Sequence, residues 1–205
     1  KVAGQALVFG ADVTESGVTK ITTDAVFSQV VTGGNGGVIT YSSSELTVAS
    51  VNDSGEVTIV AAGTTTITAT EATSDEFLEQ SVSYTLTVNK IAGQSLVFGD
   101  GISESGITKT TDDAAFTQVA TGGNGGVITY SSSNTKVATV TNAATNSGEV
   151  TPVGAGTTII TATEATSEDY LEQSITFSLT VTQGVVRVES IAASSAKQTQ
   201  RKRAH

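Results

Sequence analysis

The sequence predicts an all-β protein made of two tandem β-sandwiches. Composition, side-chain periodicity and an internal duplication each point that way. Thr, Val, Ser and Gly dominate the 205 residues, with 21 glycines and a single proline. β-Branched side chains of this kind fit a pleated, half-buried surface. Apolar residues recur every second position. In SVSYTLTV (81–88), Val82, Tyr84, Leu86 and Val88 share one face and Ser and Thr take the other. In TTTITAT (64–70), Ile67 and Ala69 point inward between threonines. Strict alternation marks strands with one wet face. No 3.6-residue apolar stripe of useful length appears, so almost no helix is expected.

The chain is also written twice. VAGQALVFG (2–10) recurs as IAGQSLVFG (91–99), and ESGVTK (15–20) as ESGITK (104–109). GGNGGVITYSSS (33–44) recurs unchanged at 122–133. SGEVTIVAAGTTTITATEATS (54–74) recurs as SGEVTPVGAGTTIITATEATS (147–167), and LEQSVSYTLTV (78–88) as LEQSITFSLTV (171–181). About two-thirds of paired positions are identical, with an insertion of roughly four residues near 143–146. The expected units are 1–90 and 91–183, followed by a tail over 184–205 that holds a strand-like segment.

Within unit one the expected strands are 5–9, 18–22, 25–31, 38–43, 47–52, 56–60, 64–70 and 81–88. Turn chemistry separates them: GADVTESG, the glycine cluster, NDSG and AAG. Seven or eight short strands at this spacing suit a two-sheet sandwich. Tyr84 becomes Phe177, Val82 becomes Ile175 and Phe77 becomes Tyr170 in unit two. Such volume-conserving exchanges are what a packed interior tolerates. Between the units only Asn89 and Lys90 look like connector. With no Gly/Ser or Pro tract, the join predicts two domains held end to end with limited bending.

Charge narrows the partners. The formal net charge is -10, which argues against nucleic-acid binding. No apolar run is long enough to cross a bilayer. There is no cysteine, so disulfides and thiolate metal sites are excluded. With no methionine and Lys1 at its start, the chain has the look of a processed product or an excised segment. The tail runs against the acidic body: Arg187, Lys197, Arg201, Lys202 and Arg203 face only Glu189. Such a tail suits head-to-tail attraction between copies or simple solvation, and VVRVESIAASSA (185–196) within it suits the first strand of a third, truncated domain or a strand donated to a neighbouring molecule.

Candidate sites are few. The glycine cluster is unlike a phosphate loop, which leads into a helix and carries a lysine. It is expected to be a turn with positive-φ positions, and Asn35 and Asn124 at its centre are candidate contacts for a partner. Asp75, Glu76 and Glu79 recur as Glu168, Asp169 and Glu172. Two readings stand for them: weak calcium ligands or a solvated acidic face. Asp12 and Glu15, echoed by Asp100 and Glu104, are similar. Catalysis lacks players, since His205 is the only histidine and sits at the end of the polar tail. The chain is expected not to be an enzyme and to need no cofactor other than, at most, calcium. Lys20 and Lys109 stand at equivalent positions as candidates for a self-formed isopeptide bond. The Asn52 sequon suits turn chemistry better than a glycan. Tyr41, Tyr130 and Tyr170 would serve a carbohydrate- or receptor-binding module, or fill the core.

The stretch VITYSSSELTVASVNDSGEVTIVAAGTTTITAT with the closing SYTLTV resembles the bacterial immunoglobulin-like domain of group 2, the repeat of intimin- and invasin-type adhesins. The resemblance rests on Tyr41, Ser42, Ser43, Val48, Ala49, Val51, Ser54, Gly55, Val57, Ala62, Gly63, Thr64, Ile67 and Ala69, all kept in the second copy. The opening AGQ-LVFG and TESGVTK segments depart from that pattern. The resemblance implies an immunoglobulin-like sandwich and an extracellular, structural or adhesive role at a bacterial surface or in a filament. It implies partners among other protein domains, copies of the chain itself, or host and surface glycans. It supplies no catalytic residue and no shared ligand.

Overall fold

The computed structural model describes residues 1–14, 16–99, 102, 106–142 and 148–185. Among them there is no helix. The first half forms β1 (Leu7–Phe9), β2 (Val18–Ile21), β3 (Phe27–Ser28), β4 (Val31–Gly33) and β5 (Ile39–Ser43). It continues with β6 (Ala49–Val51), β7 (Glu56–Ile59), β8 (Gly63–Glu71) and β9 (Gln80–Asn89). The second half repeats the order as β10 (Leu96–Phe98), β11 (Ile107–Thr110), β12 (Phe116–Thr117), β13 (Ala120–Gly122) and β14 (Ile128–Ser132). It closes with β15 (Ala138–Val140), β16 (Glu149–Pro152), β17 (Gly156–Glu164) and β18 (Gln173–Thr182).

In each half three sheets share one core. The first half has a four-stranded sheet ordered β2-β9-β8-β5, a three-stranded sheet β3-β7-β6 and a β1-β4 pair. The alternation seen in sequence sets the inward face. Ile67, Ala69 and Leu86 are fully buried, joined by Tyr84, Val88, Ala49, Val57, Leu7 and Phe9. Thr40, Thr70 and Ser81 line up across the outer face, followed by Ser42, Thr68 and Ser83. β2 runs parallel to β9, with Val18 opposite Leu86; the other pairings are antiparallel.

The segment expected as one strand over 25–31 is two. Phe27–Ser28 pairs with β7 and Val31–Gly33 with β1. The chain changes sheets at Gln29, which is buried and donates its N–H to the Gly55 carbonyl at 2.9 Å. The first strand is also shorter than expected, because the Gln5 N–H donates to the Asn35 side chain and not to a ladder.

Several signature residues have a direct physical reason. The hydroxyl of Thr65, 2% exposed, accepts the Glu45 N–H at 2.9 Å and bonds Ser43 Oγ at 2.8 Å. Ser44 Oγ accepts the Thr66 N–H. The serine run and the AGTT run are therefore two sides of one buried hydrogen-bond cluster. Gly63 lies so close to Val48 that a Cβ there would stand 2.6 Å from Cγ2. The Tyr41 hydroxyl accepts the Val31 N–H at 3.2 Å, and Tyr130 accepts the Ala120 N–H at 2.9 Å. Both tyrosines tie one sheet to the next strand pair.

Candidate functional site

The stretch 33–37 wraps an anion, and the anion belongs to the chain itself. β8 alternates Thr65, Ile67, Ala69 and Glu71 toward the interior, so its last inward residue is a carboxylate that is 3% exposed. Asn35 N–H donates to Glu71 Oε1 at 2.8 Å and to Oε2 at 3.1 Å. Gly37 N–H donates to Oε1 at 2.6 Å, and Asn35 Nδ2 reaches Oε2 at 3.4 Å. The second copy repeats this cage. Asn124 N–H donates to Glu164 at 3.0 and 2.9 Å, and Gly126 N–H donates to Oε1. Successive N–H groups in a glycine-rich turn form an anion-binding concavity. Gly34 has φ +76, and a Cβ there would lie 2.8 Å from Glu71 Oε2, so the backbone must stay bare to approach the carboxylate.

Asn35 links this cage to the start of the domain. Its Oδ1 accepts the Gln5 N–H at 3.1 Å, as Asn124 Oδ1 accepts that of Gln94. A Cβ on Gly4 would fall 1.9 Å from Asn35 Nδ2, so residues 3–5 lie flat across the side chain. Asn35 and Asn124, expected to meet a partner, direct these polar contacts within their own halves. The physical cause is the buried carboxylate beneath the loop.

Beside each loop the opening residues dock on the segment before the last strand. Val2 N–H donates to the Glu76 carbonyl at 2.9 Å, and Leu78 N–H donates to Val2 O at 3.0 Å. Ile91, Asp169 and Leu171 reproduce both bonds. Lys1 Nζ donates to Thr73 Oγ1, and Lys90 Nζ to Thr166 Oγ1 and the Ser167 carbonyl. The connector is thus fixed to the second half. A contact from the first half meets it there, where Thr22 Oγ1 donates to the Asp169 carbonyl at 3.3 Å. Next to this joint, Ala92, Gly93, Gln94, Gly123, Asn124 and Tyr170 line an open hollow of about 470 Å³.

The other candidate residues scatter. Asp75, Glu76, Glu79, Glu168 and Glu172 are exposed and Asp169 is half-buried. No three of the described Asp, Glu and His side chains gather closely enough to hold a metal ion. Lys20 lies 4.7 Å from the centre of the Phe27 ring and Lys109 lies 4.8 Å from that of Phe116, both cation–π contacts. Asn52 Oδ1 accepts the N–H groups of Ser54 and Glu56, each at 3.0 Å, so its side chain builds the turn. Tyr130 is buried and Tyr41 half-buried, whereas Tyr170 borders the hollow. Arg187, Arg201, Lys202 and Arg203, with Glu15, Asp100 and Glu104, lie outside the described residues.

Sequence reasoning missed Glu71 and Glu164. A signal was present: in TTTITATE the glutamate continues the inward phase of Ile67 and Ala69. A charge on the core face demands a buried partner.

One feature of the second half differs from the first inside the core. Phe9 meets Tyr84 edge-on at 4.9 Å, as Phe98 meets Phe177 at 5.1 Å. Among the described residues the Tyr84 hydroxyl has no hydrogen-bond partner, and burial pushes its phenol up to about 12.

Two segments, 26–73 and 114–166, match the family model for the intimin immunoglobulin-like domain, one in each half. No curated protein sequence matches the chain. Among solved structures, human protocadherin-24 EC1-2 is 14% identical, with 89% of this chain and 100% of that one covered and a TM-score of 0.34. Domains 1-6 of the surface layer protein SbsC are 19% identical, covering 90% of this chain and 29% of that one, with a TM-score of 0.33. Drosophila N-cadherin EC1-4 is 15% identical, covering 89% and 50%, with a TM-score of 0.37. No helix among the described residues is long and apolar enough to cross a membrane.

Proposed function

The chain carries two tandem bacterial immunoglobulin-like domains of the intimin type, and from that premise we propose that it is a stiff, non-enzymatic spacer of an extracellular adhesin or filament at the bacterial surface. The observation that carries this reading is the joint. Lys90 and Ile91 are bonded into the second domain, and Thr22 of the first domain bonds Asp169 of the second. A connector of this kind has little free length to bend. Stiffness is what a spacer contributes, because it holds a distal tip away from the surface that carries it. The units are taken as 1–90 and 91–183. The non-enzymatic reading rests on the family likeness and on the structural use of the serine and threonine hydroxyls beside β5 and β8.

Small-angle scattering tests this. A ten-residue strand is about 34 Å long, so two domains end to end give a maximum dimension on the order of 80 Å. A compact globule, or a distribution that demands many interdomain angles, contradicts the spacer. A second reading is favoured by the charge contrast between the acidic body and the basic tail: a subunit that assembles through residues 184–205. Removing that segment should then abolish assembly, and fibres formed without it would exclude the idea.

A further inference from the structure

The hollow beside the joint has an unusual wall. Among the described residues no charged side chain lines it, although the chain has a net charge of -10. Tyr170 offers an aromatic ring and a phenol, and Gln94 an exposed amide. The backbone groups of Ala92 and Gly93, the Gln94 side chain and the Tyr170 hydroxyl have no hydrogen-bond partner within the described residues. The hollow also has a rigid floor. Asn124 is held from below by Glu164 and from the side by Gln94 N–H, so its position is set before any ligand arrives. The first domain has Phe77 where Tyr170 stands and so lacks the phenol.

We propose that this hollow binds one neutral sugar residue of a glycan, with the Tyr170 ring as platform and the Gln94 amide and the Ala92–Gly93 backbone as hydrogen-bond partners. The chemistry selects the class. Among the described residues no countercharge for a phosphate, a carboxylate or an ammonium ligand lines the hollow, and the Asn124 and Gly126 N–H groups that could cradle an anion are already taken by Glu164. An apolar ligand would leave the free amide and backbone groups unpaired. A pyranose presents a C–H face for an aromatic ring and hydroxyls that both donate and accept. The volume of about 470 Å³ lies within the range of about 300–1,000 Å³ usual for small-molecule sites. A ligand of about a dozen heavy atoms bound with ordinary efficiency has an affinity on the order of millimolar. Useful avidity would come from multiple copies along a surface. This site stands apart from the spacer reading: its failure leaves the stiff joint untouched, and a flexible joint leaves the site untouched.

The test is a titration of the ¹⁵N-labelled chain with neutral oligomers of glucose, galactose and N-acetylglucosamine, followed by amide shifts. Shifts confined to Ala92, Gly93, Gln94, Gly123 and Tyr170 are expected with at least one of these. Tyr170→Ala should weaken binding at least about tenfold, and Tyr170→Phe, which recreates the Phe77 wall of the first domain, should weaken it severalfold. Gln94→Ala, at an exposed side chain, should weaken binding severalfold with an unchanged melting temperature. It serves as the decisive variant if Tyr170→Ala fails to fold. Absence of shifts up to tens of millimolar with all three oligomers overturns the proposal. So does binding that survives both truncations, or shifts seen only with charged saccharides.

Discussion

A buried carboxylate that accepts several N–H bonds is held by its surroundings and holds them in turn. Glu71 ties together the glycine loop, Asn35 and, through Asn35, residues 3–5. Replacing it with Gln keeps the shape but turns an NH₂ group toward backbone donors. Glu71→Gln is expected to destabilise the first domain by about 2–4 kcal/mol, read as a lower urea midpoint with the second domain unchanged. An unchanged midpoint would mean that the cage carries little energy. Tyr84 gives the opposite expectation. Its hydroxyl is buried with no partner among the described residues, and the equivalent Phe177 has no hydroxyl to pair. Tyr84→Phe is therefore expected to be neutral or to stabilise by about 1 kcal/mol. The phenol also makes stability depend on pH. Its folded value of about 12 exceeds the ordinary phenol value of 10.0, so the folded state binds the proton more tightly. That contribution is fully present below pH 10.0 and is lost as pH rises toward about 12, by roughly 1.4 kcal/mol per unit. Equilibrium unfolding across that range should show the loss in the native chain and not in Tyr84→Phe.

Elements meet at fixed close approaches, and Gly63 at the start of β8 is the clearest. With φ +152 and Val48 Cγ2 2.6 Å from the place of a Cβ, Gly63→Ala is expected to cost about 1–3 kcal/mol. Adding Val48→Ala should recover part of that loss, and strict additivity in the double-mutant cycle would deny the contact. At this scale the sequence was most legible where period and burial coincide. Val82, Tyr84, Leu86 and Val88 declared both the strand and its inward face, and β9 follows them. The break at Gln29 was not legible, because 25–31 is uniformly strand-forming. What divides it is the position of two different partners, β7 and β1, far away in sequence. The parallel pairing of β2 with β9 was hidden for the same reason. The cage was half legible: the phase of Glu71 marked it as inward, but its donors lie 34 to 36 residues earlier. The hollow at Tyr170 depends on which loops fold beside it, which no local pattern reveals.

The whole molecule is a repeat whose two copies use the same bonds at their poles. Val2 and Glu76 pair as Ile91 and Asp169 do. The difference lies in what covers them: Val2 is 62% exposed, whereas Ile91 at the joint is half-buried. Thr22 supplies a hydrogen bond across that joint, and Thr22→Val should loosen it without unfolding either domain. A single part-buried bond of this kind contributes about 0.5–1.5 kcal/mol, so the expected change is a broader scattering profile, not a collapse. The central claim is that the two domains move as one stiff body. Residual dipolar couplings from backbone amides test it most directly. One alignment tensor of equal magnitude is expected to fit both domains, and inserting a short Gly-Ser segment after Asn89 is expected to split it in two. Two tensors of clearly different magnitude in the unaltered chain would contradict it.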